Sequence, residues 1–506
     1  MKNLLLGIDI GTSACKVAVM DLDGRVIAQA TSTYPLYYPA PGYVEQNPEE
    51  WWEGVCTAIR KILSTGGVDT NDIEGIGLDG QSWSAIPINK KGDVLDNTPI
   101  WMDTRASELC KNVTERVGFH RIFSISGNSF EPSYTTPKIL WFKENKPDLY
   151  RSTFKFLQSN SYIAFRLTGV ITQDISQGYG LHMFNTEKGT YDDRLCDELD
   201  VDRDKLPDIY PCHQVIGEVT QKAAEMTGLK PGIPVVAGGL DAACGTLGAG
   251  VYKVGQTQEQ GGQAGGMSIC VNHALSHPKL ILSAHVVPGL WLLQGGTVGG
   301  GGAVRWFSEQ LCSDESVKAK FEGINVFKKM DDEAAAISPG SNGLIFLPYM
   351  AGERSPLWDK NAKGVFFGLG YDKTRAHMIR SVMEGCAFAL YHNMQTAEES
   401  GIKSDILNAM GGAANSRVWT QIKADVTATL IQVPSSDTAT TLGASILAGI
   451  GTGVYKTFEE AVERTIQITR IHEPDMKAHD KYMKYYEIYL ELYERLKESM
   501  KKISEI

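Results

Sequence analysis

One layout of short apolar strands, glycine turns and acid- or glycine-tipped strand ends is written twice in this 506-residue chain, first from Leu4 and again after Gly250. In the first copy Leu4–Ile10 is an apolar run carrying one acid, Asp9, and Gly11-Thr12-Ser13 is the turn after it. Lys16–Met20 reads as a second strand, Asp21–Gly24 as a turn with an Asp-Gly signal, and Arg25–Gln29 as the returning third, which together make a meander. A helix is expected from Asn47 to Leu63, with Pro48 near its start and Trp51, Trp52, Val55, Ala58, Ile59 and Ile62 on one face. Ile73–Leu78 is a strand feeding the loop Asp79–Trp83, and residues 106–230 read as mostly helical. Pro234–Gly239 is a buried strand that ends at Leu240-Asp241, before a small-residue helix Ala242–Ala249. In the second copy Gly255–Gly262, Met267–Val271, Leu290–Gln294, Gly343–Pro348 and Gly364–Gly368 are candidate strands. Ala303–Leu311, Arg375–Glu399, Arg417–Thr429 and the tail Met476–Lys501 are candidate helices, the tail with Tyr482, Tyr485, Tyr489 and Leu496 on one face. The reading is two α/β halves, residues 1–250 and 251–506.

Charge removes several classes of partner. Lys and Arg number 49 against 60 Asp and Glu, a net charge of −11, which argues against a nucleic-acid binder with a basic face. The long stretch without Asp, Glu, Lys or Arg, Leu280–Val304, contains Pro288 and a run of glycines, so it reads as strands and loops rather than a membrane helix. Met1–Asp9 does not have the layout of a secretory signal. Nine cysteines without a C-x-x-C pair fit reduced thiols, with neither a disulfide framework nor a zinc site, and a cytoplasmic protein is expected.

Four groups of residues could carry chemistry. At Asp9-Ile10-Gly11-Thr12-Ser13 the glycine lets the backbone approach an anion, and N–H groups with two hydroxyls can hold phosphate oxygens. The neighbouring carboxylate can hold the waters of a Mg²⁺ ion, although the same residues also make an ordinary hairpin. Asp241 ends a buried strand between Gly238-Gly239 and Ala242-Ala243, where ligands of open α/β folds collect; it would also serve as a helix N-cap. The loops Gly261–Gly266, Gly299–Gly302 and Gly411–Asn415 suggest backbone laid against a nucleotide, and none of them is a P-loop or a dinucleotide fingerprint. Trp83, Trp101, Asp103 and Arg105 suit a polyhydroxylated ligand, rings over C–H faces and charges on hydroxyls; taken singly, each also fits core packing or a surface ion pair.

Taken together, these residues resemble the FGGY carbohydrate kinases. Ser133–Asn145, containing Thr136-Pro137-Lys138-Ile139-Leu140-Trp141, is similar to the family's first signature, and Gly364–Leu369 with His377-Met378 and Ser381–Glu384 to its second. The resemblance implies two ribonuclease-H-like domains of the actin and heat-shock-chaperone superfold around a central cleft, with ATP and Mg²⁺ as cofactors and a small sugar as partner. It carries Asp9 over as the metal-side acid and Gly11, Thr12, Ser13 and Lys16 as the first phosphate motif, with Asp241 as the catalytic base. Gly262, Gln263, Gly301, Arg305, Gly411, Gly412, Asn415 and Gln421 become nucleotide residues, and Gln81, Ser82, Trp83, Trp101, Asp103 and Arg105 substrate residues. There are three departures. Gly262-Gln263-Ala264 stands where the family has Gly-Thr-Ser, and Asp437–Ala444 lacks the acid often found before its Leu-Gly-Ala. Gln81-Ser82-Trp83 replaces the Gln-Met-His of xylulose kinases and the Gln-Arg-Glu of glycerol kinases. The expected reaction is phosphorylation of a primary hydroxyl on a ketopentose such as xylulose. The alternatives are another sugar, polyol or sugar acid (gluconate, ribulose, a deoxyketose) and a non-catalytic nucleotide-binding protein. No membrane or nucleic-acid partner is expected, and a homodimer is the candidate assembly.

Overall fold

Leu4–Ile10 is branched, apolar and buried along its length except at Asp9, as befits a central strand. It pairs antiparallel with Ala14–Asp21, which pairs antiparallel with Val26–Thr33, completing the expected meander. On its other side Ile73–Gly80 runs parallel to it, followed by Pro234–Val236 and the antiparallel edge Val215–Glu218. The computed structural model describes residues 3–312, 325–435 and 438–506; Asp437 of the 437–444 segment lies outside them. The strand expected over 234–239 is broken: it stops at Val236, turns at Gly238 (φ +78°), and resumes as Gly239–Leu240 beside 73–80.

The second half repeats the plan. Gln256–Gly261, Gly265–Val271 and Trp291–Thr297 form an antiparallel meander, Ile281–Ala284 adds an edge, and Ile406–Met410 and Leu430–Pro434 continue it in parallel. Ile468–His472 closes the far edge. Two mixed-sheet α/β domains of the actin type result. The tail helix Met476–Glu505 buries Tyr482, Tyr486, Tyr489 and Tyr493, so its buried stripe follows 4-3-4 steps, and Tyr485 and Leu496 flank it half-buried.

Helix Ala439–Gly451 was not expected. It belongs to the second half in sequence but lies on strands 4–10 and 73–80 of the first, and against helix Asp241–Gly248. Glycines make the approach possible: a Cβ on Gly77 would stand 1.8 Å from the Ala444 carbonyl oxygen, and one on Gly443 1.9 Å from that of Cys244. The halves also meet at one edge, where Asn128 Nδ2 donates to the Leu282 carbonyl (2.9 Å) and Leu282 N–H donates to Asn128 Oδ1 (3.0 Å).

Candidate active site

Three carboxylates converge at the C-terminal ends of parallel neighbours in the first sheet. Asp9 and Asp79 sit opposite each other in register, Gly239 pairs with Asp79 from the other side, and Asp241 follows two residues on. Burial raises all three above the usual carboxylate range. Asp79, with both oxygens buried and unpartnered, is raised furthest, by burial and then by the charges of Asp9 and Asp241. Asp241 is pushed up to about 7, by burial and then by Asp9. Asp9 is restrained by Thr440 Oγ1, which donates to its Oδ2 at 2.9 Å, and by Lys16, its register partner. Asp241 is the first residue of its helix, Leu240 being the N-cap, and its Oδ1 accepts from Ala242 N–H at 2.6 Å. Asp79 and Thr440 were not anticipated as site residues. An acid inside an apolar strand, the signal that marked Asp9, was available for Asp79; nothing in the sequence marks Thr440.

Asp241 opens into a cavity of about 370 Å³ between the halves. Thr12, Ser82, Trp83, Trp101 and Tyr179 form its first-half wall. Trp83 holds φ +65°, an uncommon conformation for a bulky residue, and stacks on Tyr134 at 4.3 Å. Its carbonyl is one of three, with those of Ile100 and Ser133, that accept from the fully buried Lys138 Nζ at 2.6–2.8 Å. Lys138 of the first signature thus ties three wall loops together. Tyr179 Oη donates to Ser82 Oγ (2.9 Å) and Trp101 Nε1 to Thr12 Oγ1 (2.9 Å), joining the aromatic wall to the first hairpin. Gln81, Asp103 and Arg105 lie behind this wall, not on it. Gln81 Nε2 donates to Gln46 Oε1, and Arg105 is paired with Asp103 and Glu45 and packed against Tyr43 and Trp141.

A second cavity, about 750 Å³, is lined by Gly262, Gln263, Gly301, Arg305, Gly412 and Asn415 of the expected nucleotide residues. Gly262 and Gln263 border both cavities. Gly301 N–H and Gly302 N–H donate to the carbonyls of Gly262 and Gln263 at 2.8 Å, so this turn is docked on the start of helix Gly301–Leu311. Gly411 (φ +83°) backs onto Gly261. Gln421 does not line the cavity: its amide donates to Asp425 and the Glu473 carbonyl, and its oxygen meets His472. Among the described residues no three His, Cys, Asp or Glu side chains are grouped to hold a metal by themselves. A Mg²⁺ ion carried by nucleotide phosphates needs only one or two carboxylates and keeps waters, which Asp9 and the unpartnered Asp79 oxygens beside it can accommodate.

Two actin-type domains, with a glycine-lined nucleotide-sized cavity meeting an aromatic pocket that a half-buried carboxylate lines, define a carbohydrate kinase. The chain belongs to the FGGY family of carbohydrate kinases, matching its N-terminal domain over residues 4–248 and its C-terminal domain over 266–452. It is 30% identical over 483 residues to the xylulose kinase of Bacillus subtilis (strain 168), covering 94% of each chain. Among solved structures it is similar to the ligand-bound xylulose kinase of Lactobacillus acidophilus (TM-score 0.91, 26% identity, 99% and 100% covered). It is also similar to the gluconate kinase of the same organism (TM-score 0.90, 26% identity, 99% and 100% covered). The protein is therefore a sugar-phosphorylating enzyme that uses ATP.

Proposed function

We propose that the enzyme transfers the γ-phosphoryl group of ATP to a primary hydroxyl of a ketopentose, with xylulose as the substrate. One observation carries the reading: Asp241, half-buried and raised to about 7, lines the aromatic pocket close to Asp9 and the phosphate hairpins. The likeness to xylulose kinases over nearly the whole chain supports the sugar.

Phosphoryl transfer is mostly positioning and charge neutralisation. Asp241 accepts the proton of the attacking hydroxyl as the new P–O bond forms. Thr12 and Ser13 hold phosphate oxygens on the first half, the Gly11 N–H being taken by the Ala14 carbonyl (3.1 Å) so that it closes the turn, while Gly262 and Gln263 hold them on the second. The Gln263 amide, set against Gly302, replaces the family's hydroxyl as the donor. The nucleoside lies in the 750 Å³ cavity beside Gly301, Arg305, Gly412 and Asn415. Mg²⁺, when bound on the Asp9 side, supplies charge neutralisation to the β- and γ-phosphates. In-line transfer needs reacting atoms at roughly 3–3.5 Å, so the halves approach each other on substrate binding, which also excludes water. The nine cysteines are all buried, in keeping with a cytoplasmic enzyme. Among the described residues no helix is long and apolar enough to cross a membrane. The test is a coupled assay of ADP release across ketoses, alditols and aldonates. Xylulose should give the highest kcat/KM; a clear preference for another class would replace it.

A further inference from the structure

Arg354 reaches the sugar-side cavity from the second half. Its backbone is fixed: its N–H donates to Glu353 Oε1 (2.7 Å), and its carbonyl accepts from Trp358 N–H (2.7 Å). The oxygens of Glu353, the nearest acid in sequence, are taken by Thr297 Oγ1 (2.7 Å), Val298 N–H (2.8 Å) and that same Arg354 N–H, and its carboxyl makes no hydrogen bond to the guanidinium although it feels its charge. Among the described residues the guanidinium has neither a hydrogen-bond acceptor nor a carboxylate. It lies along Gly296, where a Cβ would stand 3.0 Å from Nη1, so the missing side chain there gives it room.

Arg354 lines this cavity together with Asp241 and Tyr179, so the pocket carries a carboxylate from the first half and a guanidinium from the second. The Arg354 charge also reaches the Tyr134 and Tyr179 hydroxyls of the aromatic wall. A guanidinium is a planar fork of donors with no acceptor of its own. It is matched by a planar oxygen group, which a ketose carbonyl or an aldonate carboxylate offers and an alditol hydroxymethyl does not.

Resting on the reading of Asp241 as the base, we propose that Arg354 is a specificity residue that binds the carbonyl or carboxylate end of the sugar, remote from the hydroxyl being phosphorylated. The enzyme thereby discriminates against alditols. The test measures kcat and KM for xylulose, gluconate, xylitol and ATP in the wild type, Arg354→Met and Arg354→Lys. Arg354→Met should raise KM for xylulose or gluconate, whichever the wild type uses, by about 10- to 100-fold, the worth of a charge-assisted hydrogen bond. KM for ATP and the slow turnover of xylitol should stay within about twofold. Arg354→Lys keeps the charge and loses the fork, so it should restore most of the affinity for xylulose, whose single carbonyl oxygen needs one donor, and only part of that for gluconate, whose carboxylate pairs with the fork bidentately. A wild type that prefers gluconate would end the ketopentose reading and leave the Arg354 proposal standing if Arg354→Met loses that preference. An unchanged sugar KM, an equal loss on xylitol, or a parallel rise in KM for ATP would overturn it.

Discussion

The turn at 11–13 and its counterpart at 262–264 occupy the same place in their halves, between the first two strands of a meander, but they are held differently. The first is engaged mainly through side chains: Trp101 Nε1 donates to Thr12 Oγ1, Gln46 Nε2 to the Thr12 carbonyl and Tyr34 Oη to the Gly11 carbonyl, with one backbone bond from Tyr34 N–H to the Ser13 carbonyl. The second is engaged through backbone, its carbonyls receiving the N–H groups of Gly301 and Gly302. Glycine is needed there for closeness, since a Cβ on Gly300 would stand 2.4 Å from the Ala264 carbonyl carbon. A turn held by main-chain bonds tolerates exchange of its side chains, which explains how Gln263 can stand where relatives carry a hydroxyl. A turn held by side chains links its position to the aromatic wall.

The largest effect should come from the acid beside the first turn. Asp241→Asn is expected to lower sugar-dependent turnover by about 10²–10⁴ with nucleotide affinity unchanged, the usual worth of a general base. Turnover near the wild-type rate would remove Asp241 from the mechanism. Next, Trp83→Ala should raise the sugar KM by about 10- to 100-fold and leave KM for ATP nearly constant, because the wall serves the sugar alone. Equal changes in both constants would make Trp83 a packing residue.

The pH profile comes third. Asp241 must be ionised to accept a proton, and its raised value of about 7 leaves it neutral in acid, so kcat/KM should fall about fivefold from pH 7 to pH 6 and level off above pH 8. Glu353 is also pushed up to about 7 by burial, so the profile is compared with that of Glu353→Gln. A limb that disappears in this variant would belong to Glu353. The smallest effects should separate the two turns directly. Thr12→Val, which removes the acceptor of Trp101, should raise KM for both substrates by about 2- to 10-fold. Gln263→Ala should raise KM for ATP alone, and by less than about threefold. A larger loss from Gln263→Ala than from Thr12→Val would reverse the comparison.

Much of this could be read from the residues alone, for reasons specific to each. An apolar run of branched residues between Gly and Asp-Gly turns has one reading, so the meander from Leu4 is found at once. Helix 439–451 is hidden because its small and apolar residues surround it on every side. It is buried from Thr441 to Gly449, and a helix without a polar face has no amphipathic period to detect. Asp103 and Arg105 were expected to face the ligand, and a charged pair gives no sign in sequence of whether it faces a ligand or its own partner. Tyr179 and Arg354 come from elements far apart in the chain, and only the cleft brings them to one cavity.

Helix 439–451 has a consequence for how the molecule is made. It covers Gly7 and Gly77 on the first sheet, and it carries Thr440, the hydroxyl that holds Asp9. A nascent chain emerges from its N-terminus, and domains that can fold during synthesis do so in that order. Here residues 4–80 can pair into strands early, but their covering helix is still untranslated, and the face beneath it stays bare until residue 451 has left the ribosome. The first domain is thus finished by a helix that the second half supplies. A message cut anywhere before codon 439 yields an open sheet that invites aggregation in place of a half-enzyme.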